Sequence, residues 1–229
     1  MNDWLFRFLD KMGRFLIRTL FDLEVTGLEN VPLTGPVILL INHVNFTDVG
    51  MLMVLMPRRP VGLAKEELVR HPLLGPIVRA FGVIPVRRGE VDRDALRQSS
   101  ELLAAGQRVL MIAPEGHRSG HGRLQEAHDG VTFVAVRSGA IVVPVATYGN
   151  DRFWRNVFTL RKTQACIVIG RGFRFQTSGG RPDRATLRAM TTEAMYRLGA
   201  LLPAEYRGVY GDLSQATTEH LDFEPEQYC

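Results

Sequence analysis

Val37-Ile38-Leu39-Leu40-Ile41-Asn42-His43-Val44-Asn45-Phe46-Thr47-Asp48 runs five apolar residues straight into an imidazole and, five positions later, a carboxylate. The apolar run reads as a buried strand. A strand that ends in His, with an Asp one short turn later, can present both side chains at the same edge of a sheet. The carboxylate then holds one ring nitrogen and leaves the other as a base for a hydroxyl proton. A plainer reading makes Asp48 the cap of the following helix and His43 incidental. The pair alone does not choose between them.

Strands and helices alternate on either side of this stretch. Leu23–Thr26 is a short strand, followed by a turn over Gly27–Pro32. Asp48–Leu55 is an apolar helix stopped by Pro57, and Val61–Ala64 is a further strand. A helical pair follows, broken at His71-Pro72 and Gly75-Pro76 and ending near Ala80. Val83–Val86 is strand-like despite Pro85, which suits an edge position or a strand end. Asp94–Ala105 has helical spacing, with Asp92 or Asp94 as its cap. Val109–Ala113 is a buried strand that runs into Pro114-Glu115-Gly116-His117-Arg118-Ser119. Val131–Ser138 is helical, Ala140–Ala146 a strand, Ala165–Gly170 the last clear strand and Arg184–Leu202 the last clear helix. This alternation predicts an α/β fold with a mixed, largely parallel sheet flanked by helices. The segment 203–229 is polar and Glu-rich, and is expected to lie on the surface or fray.

With 229 residues the chain fits one α/β domain with a large core. No repeat, long disordered block or run of about 18 apolar residues interrupts it, so a spanning helix is not indicated. Cys166 and Cys229 lie far apart, which argues against a disulfide framework or a zinc site and fits a reducing compartment. The formal charge of +4 favours anionic partners. The basic residues are dispersed among acidic ones without an aromatic platform, so nucleic acid is poorly supported.

The first 22 residues stand apart. Trp4, Leu5, Phe8, Leu9, Met12, Phe15, Leu16 and Leu20 recur at helical spacing, and Arg7, Lys11, Arg14 and Arg18 form a stripe on another face. Such an amphipathic helix lies in a membrane surface. The alternative is that it packs on its own domain with its arginines solvated. The organisation is then helix 1–22, main domain 23–202 and tail 203–229, and deletion of 1–20 is expected to release the protein from membranes with the fold intact.

Chemistry in such sheets gathers where strand ends meet loops. His43 and Asp48 follow one strand, Arg87 and Arg88 a second, and Glu115, Gly116 and Arg118 a third. Arg can hold a phosphate bidentately, and Gly116 lets the backbone approach a ligand. Taken singly, the arginines could be solvated charges and Glu115–Arg118 an internal ion pair.

Together these blocks resemble the glycerolipid acyltransferase family, whose best-known members, including the bacterial type, are the 1-acylglycerol-3-phosphate acyltransferases. Asn42, His43 and Asp48 match its Asn-His-x4-Asp block. Gly82-Val83-Ile84-Pro85-Val86-Arg87-Arg88 matches its second, with Arg88 at the family position. Glu115-Gly116-His117-Arg118-Ser119 matches Glu-Gly-Thr-Arg-Ser, and Val142-Val143-Pro144-Val145-Ala146 the Pro-containing strand. Lys65 opens a segment like the family's own, and the similarity runs from about Gly27 to Gly149. Two departures bear on substrate choice: His117 stands where Thr is usual, and His128 where Lys is common.

The resemblance implies an O-acyltransferase that moves a fatty acyl group from acyl-CoA or acyl-carrier protein to the free hydroxyl of 1-acylglycerol 3-phosphate. The product is phosphatidic acid, in phospholipid biosynthesis. His43 would be the base and Asp48 its orienter. Arg88, Arg118 and Lys65 would bind the acceptor, with Glu115 orienting the arginines or a glycerol hydroxyl. No metal or bound cofactor is called for, because a thioester is already activated. Backbone amides near Lys65 or Gly82 are candidate oxyanion donors. Membrane lipids and a lysophospholipid are the implied partners, on the cytoplasmic face of the cell membrane. The alternatives are another lysophospholipid or aminolipid acceptor, or a non-catalytic lipid-binding protein of the same fold.

Overall fold

The computed structural model describes residues 3–87, 92–106, 108–119, 122–177, 180 and 182–224. The chain opens with helix α1 (Asp3–Leu20), then strands β1 (Phe21–Thr26) and β2 (Val37–Ile41) and helix α2 (Phe46–Leu55). Strand β3 (Pro60–Lys65) leads into α3 (Glu66–Arg70) and α4 (Leu74–Phe81), and then β4 (Ile84–Val86). Helix α5 (Arg93–Ala104) precedes β5 (Val109–Ile112), and α6 (Gly130–Ser138) precedes β6 (Ile141–Tyr148). Helix α7 (Phe153–Phe158), β7 (Thr163–Ile169), β8 (Phe173–Phe175), α8 (Arg184–Ala200) and β9 (Leu221–Phe223) complete the fold.

The strands form one sheet in the order β1-β7-β6-β2-β5-β3-β4, with β8 beside β6 and β9 beside β8. From β6 across to β4 every neighbour is parallel. Strand β7 runs antiparallel to β6, and β1 runs parallel to β7. The mixed, largely parallel sheet expected from the sequence is therefore present. Side-chain alternation along β2 splits the core in two. Ile38 and Leu40 pack with Leu103 of α5, Val134 of α6 and Leu198 of α8. Val37, Leu39 and Ile41 pack on the other face with Met51 and Leu52 of α2 and Phe153 of α7. A strand buried on both faces needs an unbroken apolar run, which is why β2 has the bounds read from its sequence.

Several boundaries differ for identifiable reasons. Pro85 indeed sits in an edge strand, β4, where a missing N–H costs little. Gly75-Pro76 does not break the chain: Pro76 lies in the first turn of α4, where its N–H would have no helical partner. The sheet also continues past the expected last strand. Segments β8 and β9 have three residues each, too few to show a period. The segment 203–224 lies on the surface but does not fray. Tyr210 and Leu221 are buried, and the buried Glu193 carboxylate accepts from Thr217 Oγ1 (2.9 Å), Glu219 N (3.2 Å) and His220 N (3.0 Å).

Helix α1 packs on its own domain and also keeps an apolar stripe exposed. Its inner face packs on the domain: Leu9 is buried, Phe6 meets Phe81 edge-on at 5.7 Å, and a Cβ on Gly13 would lie 2.8 Å from Val54 Cγ2. Arg14 pairs with Asp10 (3.0 Å) and donates to Val54 O (2.6 Å), so it is not a free surface charge. Trp4, Phe8, Met12, Phe15 and Leu16 form a separate outer stripe, exposed to solvent. Deleting residues 1–20 would therefore uncover Val54 and Phe81, so the deletion is expected to cost stability. Among the described residues no helix is long and apolar enough to cross a membrane.

Candidate active site

Because β2 to β6 are mutually parallel, the loops after Ile41, Lys65, Val86, Ile112 and Tyr148 all emerge at one edge. Asn42 closes the end of the β2–β6 pair: its amide accepts from Thr147 N and donates to Thr147 O, both at 2.8 Å. The next residue is His43, whose backbone is gripped from the loop after β5. His43 N donates to Glu115 Oε1 (3.1 Å), and His43 O accepts from Ser119 N (2.9 Å).

The ring is set by Asp48, which is fully buried. Nδ1 of His43 lies 3.2 Å from Asp48 Oδ2. A carboxylate oxygen that already accepts two N–H bonds makes Nδ1 the donor, so the proton sits there and Nε2 is the basic nitrogen. Nε2 has no hydrogen-bond partner among the described residues, and the side chain keeps 12% of its surface. The same Oδ2 accepts from Val44 N (2.7 Å) and Asn45 N (2.8 Å). Asn45 in turn caps α2 by accepting from Thr47 N (2.7 Å), and Asp48 completes the capping box. The dyad and the helix cap, alternatives in the sequence, are one arrangement.

The other oxygen, Oδ1, accepts from Asn150 Nδ2, which also donates to Thr47 Oγ1 (2.8 Å). Asn150 is itself held through its carbonyl by Asn45 Nδ2 (2.7 Å). Sequence reasoning passed over Asn150. The signal for it was modest: a polar side chain just after Gly149 at the end of a strand that shares the His43 edge.

Glu115 plays a different part from the one expected. It is 1% exposed, and its two oxygens accept from His43 N (3.1 Å) and Gln125 N (3.0 Å). Among the described residues it makes no ion pair with Arg118, so it clasps the His43 loop and does not orient arginines. Burial pushes its carboxyl up to about 7, against the two N–H bonds, and the nearby Asp48 charge pushes the same way. A value raised above the unfolded 4.5 means that the fold prefers the protonated acid. The stability it contributes is full below 4.5 and is lost as pH rises through 7. Wild-type unfolding free energy minus that of Glu115→Gln should thus fall by roughly 2–3 kcal/mol between about pH 5 and pH 8. Denaturant titrations at both pH values measure this, and a constant difference would show that Glu115 titrates normally.

The other described candidates lie at strand ends and loops of the same sheet edge. Gly116 has φ +72°, and a Cβ there would press within 3.2 Å of His128 Cδ2, so the turn needs glycine. Arg118 and His117 are exposed beside Ser119, and Lys65 is exposed at the end of β3. Arg87 N donates to Asp92 Oδ2 (2.9 Å), whereas Arg88 lies outside the described residues. The N–H of Gly82 is taken up by Arg79 O (3.0 Å), which removes that amide from the candidate oxyanion donors.

A family model described as acyltransferase matches residues 22–148, more than half of the chain. The chain belongs to this acyltransferase family. The match contains both members of the dyad and the Glu115–Arg118 loop. A chloroplastic 1-acyl-sn-glycerol-3-phosphate acyltransferase of Arabidopsis thaliana is 31% identical over 135 residues, 58% of this chain and 37% of its own length. The lyso-ornithine lipid O-acyltransferase of Pseudomonas aeruginosa is 34% identical over 133 residues, 57% of this chain and 49% of its own. The chain thus spans less than half the length of these two relatives. The crystal structure of the 1-acyl-sn-glycerophosphate acyltransferase from Thermotoga maritima shares the fold, with a TM-score of 0.65 at 22% identity, covering 86% of this acyltransferase-family chain and 78% of that one.

Proposed function

We propose that this protein transfers a fatty acyl group from an acyl-CoA or acyl-carrier-protein thioester to the free hydroxyl of 1-acylglycerol 3-phosphate. The observation that carries the proposal is a histidine with Nδ1 committed to a buried carboxylate and Nε2 free, at a sheet edge of an acyltransferase-family chain. Nε2 takes the proton of the acceptor hydroxyl as its oxygen attacks the thioester carbonyl, and Asp48 supports the imidazolium that forms. Collapse of the tetrahedral intermediate expels the thiolate, which recovers the proton from Nε2. The acceptor supplies the nucleophile, so no acyl-enzyme forms and no bound cofactor enters. Arg118 and Lys65, with Arg88 two positions past β4, supply positive charge for the acceptor's phosphate.

Both substrates of that reaction are amphiphiles, which supports a peripheral position on a membrane. The outer stripe of α1, flanked by Arg7, Lys11 and Arg18, suits peripheral binding on the anionic cytoplasmic face. A second acceptor class is favoured by one observation: a relative that shares 34% identity is named for a lyso-ornithine lipid. The exposed His117, in place of the family's usual Thr, lies beside Arg118 where a headgroup would be read. Purified protein given one acyl-CoA and a panel of lysophosphatidic acid, other lysophospholipids and a lyso-ornithine lipid decides between them. Turnover is expected to be fastest with lysophosphatidic acid. Turnover on the aminolipid alone would reassign the acceptor, and turnover on none would end the proposal.

A further inference from the structure

Starting three positions past His43, four large apolar side chains are exposed. Phe46 is 44% exposed, Trp154 58%, Phe158 81% and Leu160 96%. The rings form a ladder, with centroids 5.5 Å apart from Phe46 to Trp154 and 6.3 Å from Trp154 to Phe158. Its inner end is the first residue of α2, three positions past His43. Its outer end is the turn after α7, where Leu160 N donates to Val157 O (3.1 Å) and Arg161 N to Asn156 O (2.9 Å).

That turn puts Leu160 at the left-handed position of a helix terminus, with φ 54°. Glycine is the residue that occupies this position without strain. Leu160 is the one non-glycine residue with positive φ among the described residues, and it turns nearly all of its side chain to water. A strained, exposed leucine adds nothing evident to folding or solubility, which is the observation that points to a contact outside the folded monomer. Exposed Arg155, Arg161 and Lys162 flank the tip, and the nearby Arg152 lies 3.9 Å from Asp151. The patch adjoins the end of α1: Lys162 Nζ donates to Arg18 O (2.9 Å), and Phe153 stacks at 5.2 Å on Phe21, the first residue of β1.

We propose that Trp154, Phe158 and Leu160 form a second insertion point into an anionic lipid surface, joined through Phe46 to the loop that carries His43. An indole, a phenyl ring and an aliphatic tip ringed by Arg and Lys are the chemistry of an interfacial anchor. The inference extends the membrane-surface reading of α1 and rests on it for the class of partner. With both anchors engaged, the His43 edge meets the bilayer, and an acceptor lipid reaches Nε2 without crossing bulk water.

The chain has two tryptophans, so each anchor can be read alone. Full-length Trp4→Phe reports Trp154, and Trp154→Phe reports Trp4, with phosphatidylcholine–phosphatidylglycerol vesicles carrying brominated acyl chains. Quenching of Trp154 is expected, together with a partition coefficient lowered about tenfold by Leu160→Gly. Because glycine relieves the left-handed strain, that variant should melt no lower than wild type. Quenching of Trp4 without Trp154 would overturn the second anchor and leave the α1 reading standing. Quenching of Trp154 without Trp4 would support it while removing α1, and quenching of neither would overturn both. A concentration-dependent shift of Trp154 emission without vesicles, or a shift caused by an acidic carrier protein and not by vesicles, would assign the patch to that partner and overturn the proposal.

Discussion

His43→Ala is expected to lower kcat roughly 10³- to 10⁴-fold with little change in KM, because in the proposed mechanism the substitution removes the base that accepts the hydroxyl proton. The loop should survive. The bonds that grip His43 are made by its backbone N–H to Glu115 and its carbonyl to Ser119, and alanine keeps both. Asp48 would still accept from Val44, Asn45 and Asn150. Steady-state kinetics and a denaturant titration on the same preparation test the claim. Activity within tenfold of wild type would show that the base lies elsewhere.

Substitution of Asp48 has the largest expected effect on stability. Asp48→Ala removes one carboxylate and leaves the N–H groups of Val44 and Asn45, the His43 ring and the Asn150 amide without their acceptor. Orphaned buried donors cost about 1–3 kcal/mol each, and a loss on the order of 3–5 kcal/mol is expected. Asp48→Asn separates structure from charge. The Oδ1 of Asn150 is buried and has no partner among the described residues, so rotating its amide would let it accept from the new side chain at the expense of its bond to Thr47. Stability should then fall by only about 1–2 kcal/mol. Without the negative charge the imidazolium loses its support, and kcat should still drop by about two orders of magnitude or more. Equal stability losses for the two variants would refute this account of the network.

The legible parts of the fold were those with long apolar runs. Strands β2, β5 and β6 are buried on both faces, short and rich in β-branched residues between turn signals, and their succession with helices pointed to a parallel sheet. Strands β8 and β9 were missed because three residues carry no periodic signal, and because β9 lies in a polar segment that a distant buried carboxylate, Glu193, holds in place. The dyad was visible because its two members lie five residues apart. Asn150, which completes it, is separated from Asp48 by 102 positions, and only the alignment of strand ends brings them together. Glu115 shows a different limit. Its neighbours suggested an ion pair, but sequence does not say which way a turn residue faces, and this one faces inward. The two readings of α1 failed to exclude one another because a helix has room for both a packed face and an exposed stripe.

The double service of Asp48 has a consequence for how the enzyme is kept ready. Its carboxylate closes the first turn of α2 and aligns the imidazole with the same oxygen. In the proposed mechanism the orientation needed for proton transfer is therefore fixed when the helix winds, before any substrate arrives, and binding free energy is not drawn down to create it. The converse holds as well: unwinding that single turn frees the ring, so the catalyst can be switched off by local fraying while the nine-stranded sheet stays whole.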